Sequence, residues 1–511
     1  MSQVPPPSRT SRRPNFVFVY CDQLRPDALG SLGALPPLRT PAMDALASGG
    51  VRFARCYTPN PVCVPAREAV ITGRWAHRYG CTENGGGRAG AGVPTFPRLL
   101  QEAGYATYSA GKQHFRPARN HRGYGRMDLS EGQPAYRQDD DYLLFLRDQG
   151  FGHLTEPGGV RGRSYYLPAA SPLPPEAHVT AWTARRCAAF IRANRNRPFL
   201  CTAGFFKPHP PFDPPQVYWD RYRPEDVTLP VPARADEEDA FLPVQNRSKT
   251  MDAPDEARVR AVRSAYYALV EQIDDGIGLI VQTLRECGLL DNTVVIVSAD
   301  HGELLGDHGA WGKRSFYEPS VGVPLLMHWP AGLPAGAVHE VPVSTIDLFP
   351  SFASAAGLPL PGPVDGLDLL PIARDGTPPD RAGIPAEYGA GRTLKLMWRW
   401  QESVAGGATS RQWKYVWLAN GGREQLFDLT ADPQERLNLA GADPARCHTA
   451  HQALTDWCRQ TAFREALATA DAGRLTALPF QPLPLGEPKS MLPSWPARDP
   501  DFAGEPVRTS A

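Results

Sequence analysis

The chain has 511 residues, too many for one simple core, so two or more packed units are expected, one of them large. Its 54 basic and 54 acidic residues balance, which gives no reason to expect nucleic acid or an anionic membrane surface as a partner. No apolar run approaches the roughly 20 residues that span a bilayer, and the 54 prolines gather in loops and at both ends.

Residues 1–14 read as a disordered tail. No apolar segment precedes Pro14, so no secretory signal is read there. Asn15 to Tyr20 is a continuous apolar run of strand length, as in a parallel sheet buried on both faces, and it ends at Cys21-Asp22-Gln23. Thr40 to Gly50 reads as a short helix. Thr40 is placed to cap it, Pro41 takes the first position, and Met43, Leu46 and Ala47 form its apolar side.

Val51 to Tyr57 reads as the next strand, leading into Asn60-Pro61-Val62-Cys63-Val64-Pro65-Ala66-Arg67. Pro65 suits a first helical turn, where its missing N–H costs nothing. The free N–H groups of such a turn favour an anion. Cys63 and Arg67, one turn apart, then face the same pocket. On this stretch alone, a buried structural cysteine beside a helix-starting proline is the alternative reading.

Phe96 to Ala103 reads as a helix closed by Gly104, and Tyr105 to Ser109 as a strand followed by Gly111-Lys112-Gln113-His114. Residues 115–175 are irregular and rich in Gly, Pro and Arg; they read as a long surface excursion walling a substrate pocket. Within it, Asp139-Asp140-Asp141 reads as a solvated acidic turn. His178 to Asn194 is a helix, and Pro198 to Phe206 is an apolar strand running into Lys207-Pro208-His209. The clearest helix runs from about Asp255 to Cys287. Its Val262, Tyr266, Leu269, Ile273, Ile277, Ile280 and Leu284 make one stripe, and Gly288 sits where a C-terminal cap belongs. Thr293 to Ser298 is a strand ending at Ala299-Asp300-His301.

After about Pro385 the pattern changes. Arg411–Leu418 and Glu424–Leu429 alternate and are joined by Asn420-Gly421-Gly422, a hairpin signal. A helix from about Pro444 to Leu467 follows, and 476–511 is a Pro-rich tail that wraps the surface or stays mobile. The expectation is an α/β fold: a large mixed, mostly parallel sheet sandwiched by helices, plus a small C-terminal antiparallel sheet with one helix. The units expected are a tail over 1–14, a catalytic domain over 15–385, a subdomain over 386–475 and a tail over 476–511.

The polar clusters follow the strands, and ligands of open α/β sheets bind at the carboxyl ends of strands. Asp22, Gln23, Asp300 and His301 together make a divalent cation site. Either aspartate alone reads as a turn or helix cap. The oxygen ligands point to Ca²⁺ first, with Mg²⁺ as an alternative, and the imidazole admits Mn²⁺ or Zn²⁺. Lys112, His114, His209 and Lys313 are of the kind that neutralises an oxyanion as its charge builds. His209, between prolines, is suited to protonate a leaving oxygen. Each of these alone also reads as a solvated lysine or a hydrogen-bonded histidine.

Cys63-x-Pro65-x-Arg67, followed by Thr72-Gly73-Arg74, resembles the signature of type I sulfatases of the alkaline phosphatase superfamily. Val64 and Ala66 depart from it: a small residue is usual at the first and Ser or Thr at the second. Gly104 to His114 is similar to the family's second signature, with Gln113 in place of an aromatic residue. Lys207 to Phe212, Ser298 to Glu303, Gly306 to Gly309 and Gly312-Lys313 resemble its remaining catalytic segments, and Trp413-Lys414-Tyr415 with Leu426 to Pro433 its C-terminal subdomain. The likeness covers roughly residues 15–470.

The resemblance implies an alkaline phosphatase-like fold and a formylglycine nucleophile, made from Cys63 by a formylglycine-generating enzyme. It implies metal binding by Asp22, Gln23, Asp300 and His301 with an oxygen of the modified Cys63. Arg67 would hold the formylglycine; Lys112, His114 and Lys313 would grip the anion; His209 would serve the leaving oxygen; Asn84 would also reach the site. The Asp-Gln and Asp-His forms are similar to choline and iduronate-type sulfatases and to phosphonate monoester hydrolases. The implied activity is hydrolysis of a small-molecule or saccharide sulfate ester. A phosphonate monoester or phosphodiester hydrolase, and a non-catalytic binding protein with unmodified Cys63, are the competing readings. Nine scattered cysteines without a Cys-x-x-Cys pair point to a reducing, cytoplasmic compartment. Oligomeric state, a homo-oligomer included, is open.

Overall fold

The computed structural model describes residues 13–482 except 31–32, 34, 133, 135, 160–164, 234–254, 404–409 and 468–473. The expectations for 1–12 and 483–511 lie outside these residues. The strands in chain order are β1 (Asn15–Cys21), β2 (Val51–Phe53), β3 (Cys56–Tyr57), β4 (Ala106–Gly111), β5 (Arg126–Leu129), β6 (Phe199–Gly204), β7 (Thr293–Ala299), β8 (Gly322–Val323), β9 (Leu325–His328), β10 (Ala337–His339), β11 (Val343–Ser344), β12 (Ile384–Tyr388), β13 (Lys395–Ser403), β14 (Ser410–Leu418) and β15 (Arg423–Asp428).

Eight strands form the main sheet in the order β10-β2-β9-β7-β1-β6-β4-β5. Only β9 runs antiparallel to its neighbours. β1 and β7 pair in parallel from Asn15↔Thr293 to Cys21↔Ala299, so both strands end at one level. Their apolar runs follow from burial on both faces: every residue of β1, β6 and β7 is buried.

Two helical layers cover the sheet. Phe16 and Phe18 lie against Phe352 with ring centroids 5.4 and 5.7 Å away, beneath α3 (Phe96–Glu102) and the helix Leu348–Ala355. Tyr108, in register with Cys201 and so on the opposite face, stacks at 4.5 Å on Phe190 of α5 (Val179–Ala193). The long helix Glu256–Glu286 packs on α5. Gly276 permits the approach, since a Cβ there would press Phe205 at 3.1 Å and Ala184 at 3.3 Å.

The small sheet is antiparallel in the order β12-β13-β14-β15. The helix Pro444–Thr461 packs Leu454, Trp457 and Cys458 onto the face bearing Trp413, Tyr415 and Trp417. β12 spans position 385. Short strands β11, β3 and β8 form a third sheet.

Several local expectations need correction. The stretch Val51–Tyr57 is two strands in two sheets, broken at residues 54–55. Within 115–175, β5 adds an edge strand to the main sheet and α4 (Asp141–Leu146) follows it. Asp140 is no solvated turn: it is 1% exposed and accepts from the backbone N–H groups of Glu131, Tyr142 and Leu143. The C-terminal helix ends at Thr461, six residues early, because Ala462 turns left-handed at φ 58°. Thr40 occupies the N-cap of α1 (Pro41–Ser48), but its hydroxyl accepts from Gly30 N instead. Asp274, from the long helix, takes the N–H groups of Ala42 and Met43 at 2.8 Å each. Among the described residues, no helix is long and apolar enough to cross a membrane.

Candidate active site

Four adjacent strands, β7, β1, β6 and β4, deliver the polar clusters at their carboxyl ends. β1 runs into Asp22-Gln23, β7 into Asp300-His301, β4 into Lys112 and β6 into the Lys207–His209 turn. Glycines let two of these ends meet. Gly111 lies at φ 89°, and a Cβ on it would collide with Gly204 O; a Cβ on Gly204 would collide with Lys112 O. The freed Lys112 carbonyl accepts from Arg67 Nη1 at 3.0 Å.

Cys63 opens α2 (Cys63–Thr72), a fully buried helix. Asn84 Oδ1 accepts from Val64 N at 3.1 Å, so Asn84 caps this helix from a neighbouring loop. The Cys63 sulfur lies 3.3 Å from His301 Nε2 and 3.9 Å from Asp22 Oδ1. One ligating atom each from Asp22, Cys63, Asp300 and His301 falls within 4.8 Å of the others, all buried.

Two hydrogen bonds aim these donors. His301 Nδ1 lies 2.9 Å from Gly302 O and therefore carries the proton, leaving the Nε2 lone pair toward Cys63. Gln23 Nε2 donates to Glu303, which turns Gln23 Oε1 inward, 2.9 Å from Lys313 Nζ. Two carboxylates, an amide oxygen and an imidazole nitrogen fit a divalent cation, and the buried group can hold one.

Arg67, one turn beyond Cys63, bridges both carboxylates: Nε to Asp300 Oδ2 at 2.9 Å and Nη2 to Asp22 Oδ2 at 3.4 Å. Its guanidinium lies 5.0 Å from the Tyr20 ring centroid. Lys112 Nζ meets Asp22 Oδ2 at 2.5 Å. Lys313 Nζ reaches Cys63 Sγ at 2.9 Å and His301 Nε2 at 3.0 Å. His114 and His209 both lie near enough to Cys63 to bear on its charge. His209 Nδ1 lies 2.7 Å from Pro210 O and 3.4 Å from the Tyr165 hydroxyl.

The field of these cations dominates the site. Burial pushes the Cys63 thiol up, yet Lys313 and Lys112 outweigh it and hold the thiol well below its usual range. Burial and Cys63 raise Asp22, but the Lys112 and Lys313 ammonium groups leave it below the usual carboxylate range. Asp300 goes the other way, raised by burial and by Asp22. Burial, with Lys313, holds His209 well below the usual imidazole range, so it rests neutral.

All eleven residues singled out in the sequence therefore lie in or against one cluster, Asn84 through its cap on α2. Sequence reasoning gave no role to Glu303, Tyr20 or Tyr165. Glu303 stood in view, two residues after His301; Tyr165 lies in the excursion, which has no motif.

A family model described as Sulfatase matches residues 14–358, and one described as N-sulphoglucosamine sulphohydrolase, C-terminal, matches residues 306–456. The arylsulfatase of Clostridium perfringens is 29% identical over 454 residues, covering 84% of this chain and 91% of that protein. The choline-sulfatase of Rhizobium meliloti is 29% identical over 455 residues, covering 84% and 83%. The solved phosphonate monoester hydrolase of Agrobacterium radiobacter superposes with a TM-score of 0.73 at 25% identity, covering 88% of this chain and 96% of that one. The fold is that of the alkaline phosphatase superfamily. Within it, the chain belongs to the sulfatase family and is a sulfuric ester hydrolase.

Proposed function

We propose that this chain hydrolyses sulfate monoesters through a formylglycine made from Cys63, beside one divalent cation. The observation that carries the reading is the Cys63 side chain at the head of α2, inside the same buried cluster as Asp22, Asp300 and His301. Asp22, Gln23, Asp300 and His301, with an oxygen of the modified residue, would hold the cation. The acidic and amide oxygens favour Ca²⁺, with Mn²⁺ or Mg²⁺ as alternatives. A bound cation draws negative charge from the sulfuryl oxygens. A hydrated formylglycine supplies two hydroxyls on one carbon, one to attack sulfur and one to expel sulfate afterwards.

The chain's own residues do the rest. Arg67 bridges the two carboxylates and, one turn along the same helix, would hold the modified residue 63 in place. Lys112, Lys313 and His114 surround the sulfuryl group and stabilise the charge that builds on it. His209 faces the side of the leaving alcohol, with Nδ1 committed to Pro210 O, so Nε2 handles the proton. An arriving anion offsets Lys313 and Lys112 and favours protonation of that nitrogen. As the sulfur–oxygen bond to the alcohol breaks, His209 gives the proton to the departing oxygen. His114, on the other side, accepts the proton released in the second half. Asn84 orders the head of α2 and borders the anion site.

The names of the similar proteins, which include an arylsulfatase, a choline-sulfatase and an N-acetylglucosamine-6-O-sulfatase, support a small-molecule or saccharide sulfate ester as substrate. The likeness to a phosphonate monoester hydrolase supports a second reading, a phosphonate monoester or phosphodiester substrate on the same residues. Catalytic efficiencies on paired aryl sulfate and aryl phosphonate esters separate the two. Residues 15–385 would form the catalytic unit and 386–475 the C-terminal subdomain. The nine cysteines are unpaired, which supports a reducing, cytoplasmic compartment.

Peptide mass spectrometry tests the nucleophile. The tryptic fragment Cys56–Arg67, from protein made with and without a formylglycine-generating enzyme, should carry an aldehyde or its hydrate at Cys63 only in the first case. A thiol in both would sink the proposed chemistry.

A further inference from the structure

We infer that Glu303 is the positioning residue that sets which end of the Gln23 amide faces the cation site; the inference rests on the metal reading above. Glu303 is 0% exposed, and its carboxylate makes no ion pair with a described lysine or arginine. Hydrogen bonds hold it instead. Oε1 accepts from Leu305 N at 2.8 Å and Gly312 N at 2.5 Å. Oε2 accepts from Gln23 Nε2 and, at 3.4 Å, from the Tyr166 hydroxyl.

A carboxylate can only accept, and a primary amide has one donating and one accepting end. Glu303 therefore claims the Gln23 NH₂ and leaves Oε1 facing Lys313 Nζ at 2.9 Å, the ammonium that also lies 3.0 Å from His301 Nε2 and 3.9 Å from Asp22 Oδ1. A reversed amide would aim two N–H groups at the cation. Nothing in Gln23 itself prevents that reversal: its side chain is symmetric in shape, and its backbone sits at φ 70°, held from outside by Asp300 Oδ1 on its N–H and Tyr266 on its carbonyl. The same carboxylate pins Gly312, the residue before Lys313. One buried group thus sets a ligand and the start of the segment that carries a cationic side chain.

Glu303→Gln is the discriminating variant. Its Oε1 stays with the two backbone N–H groups, so its NH₂ must face the Gln23 NH₂, and Gln23 is caught between that donor and Lys313 Nζ and loses its fixed orientation. Calorimetric Ca²⁺ titration of the full-length protein should show affinity lower by about tenfold or more. In a Gln23→Ala background, Glu303→Gln should cost almost nothing further, because Gln23 carries the effect. The exchange Gln23→Glu with Glu303→Gln restores a donor–acceptor pair at unchanged charge and should recover affinity to within about threefold.

An equal loss with and without Gln23 would make Glu303 a source of field only and overturn the inference. So would an exchange variant that folds, by its melting profile, yet recovers nothing. The exchange also supplies a folded comparison if Glu303→Gln alone does not fold. Wild-type protein that binds no cation would overturn the metal reading instead, a separate outcome.

Discussion

Arg67 Nε donates to Asp300 Oδ2 at 2.9 Å while the same guanidinium reaches Asp22 Oδ2 at 3.4 Å. Two buried carboxylates are thereby held by one planar cation that grows from the helix bearing Cys63. The fork geometry matters, since it ties the ends of β1 and β7 to the head of α2 at fixed spacing. Arg67→Lys keeps the charge but offers one compact ammonium. It should lower kcat/KM by at least about a hundredfold and cost roughly 2–4 kcal/mol of stability, because one carboxylate is left buried and poorly paired. Denaturant unfolding and steady-state kinetics on the same preparation check both numbers.

Gly204 makes the corresponding demand on the backbone. A methyl group there collides with Lys112 O, the carbonyl that Arg67 also holds. Gly204→Ala should move Lys112 away from Asp22 and cost about 1–3 kcal/mol in stability. The falling kcat should exceed what the stability loss explains at temperatures well below the melting point. A variant with full kcat would show that Lys112 is not set by this contact.

How much of this was legible in the sequence depends on the range of each interaction. Asp22, Asp300 and His209 could be found because each follows a strand buried on both faces, and such strands print as apolar runs; Lys112 follows the more polar β4 and was legible through the Gly104 to His114 motif. The edge strand β5 could not, since Arg126-Met127-Asp128-Leu129 pairs on one side only and keeps polar residues. β13 was hidden for the opposite reason. Its Arg399 points inward at 0% exposure and breaks the apolar alternation, being satisfied by Tyr57, Gln412 and the carbonyls of Trp400 and Trp413. The cap of α1 comes from Asp274, more than 200 residues along the chain. No local rule could prefer it over Thr40. Glu303 fails to announce itself in the same way, because its partners Gln23, Tyr166 and Gly312 meet only in the folded loop.

The join between the two large sheets carries a pH dependence. Lys414 Nζ lies 3.0 Å from Glu318 Oε1 and 2.5 Å from Glu435 Oε1. Burial, with Glu318 nearby and Lys414 opposing, pushes Glu435 up to about 7. A carboxyl raised on folding holds its proton longer in the native state, so the stability it contributes is present below its unfolded pKa near 4 and fades as pH rises through 7. Glu435→Gln never ionises. It should therefore gain stability relative to wild type between pH 5 and pH 8, read as a difference in unfolding midpoint at each pH. A difference that stays flat with pH would show that Glu435 titrates normally.

His209 supplies the sharpest test of roles within the site. It rests neutral, with Nδ1 bound to Pro210 O. If Nε2 delivers a proton to the leaving oxygen, the need for it grows with the basicity of that oxygen. His209→Ala should then lose about 10²- to 10⁴-fold in kcat on alkyl sulfates. Esters of an acidic phenol, whose oxygen departs without help, should lose far less. Plotting log kcat against leaving-group pKa should give a steeper negative slope for the variant than for wild type. Parallel lines would mean that His209 binds the sulfuryl group and leaves the alcohol to water. The Tyr165 hydroxyl, 3.4 Å from Nδ1, gives an internal control. Tyr165→Phe leaves the Pro210 contact intact and should leave that slope unchanged.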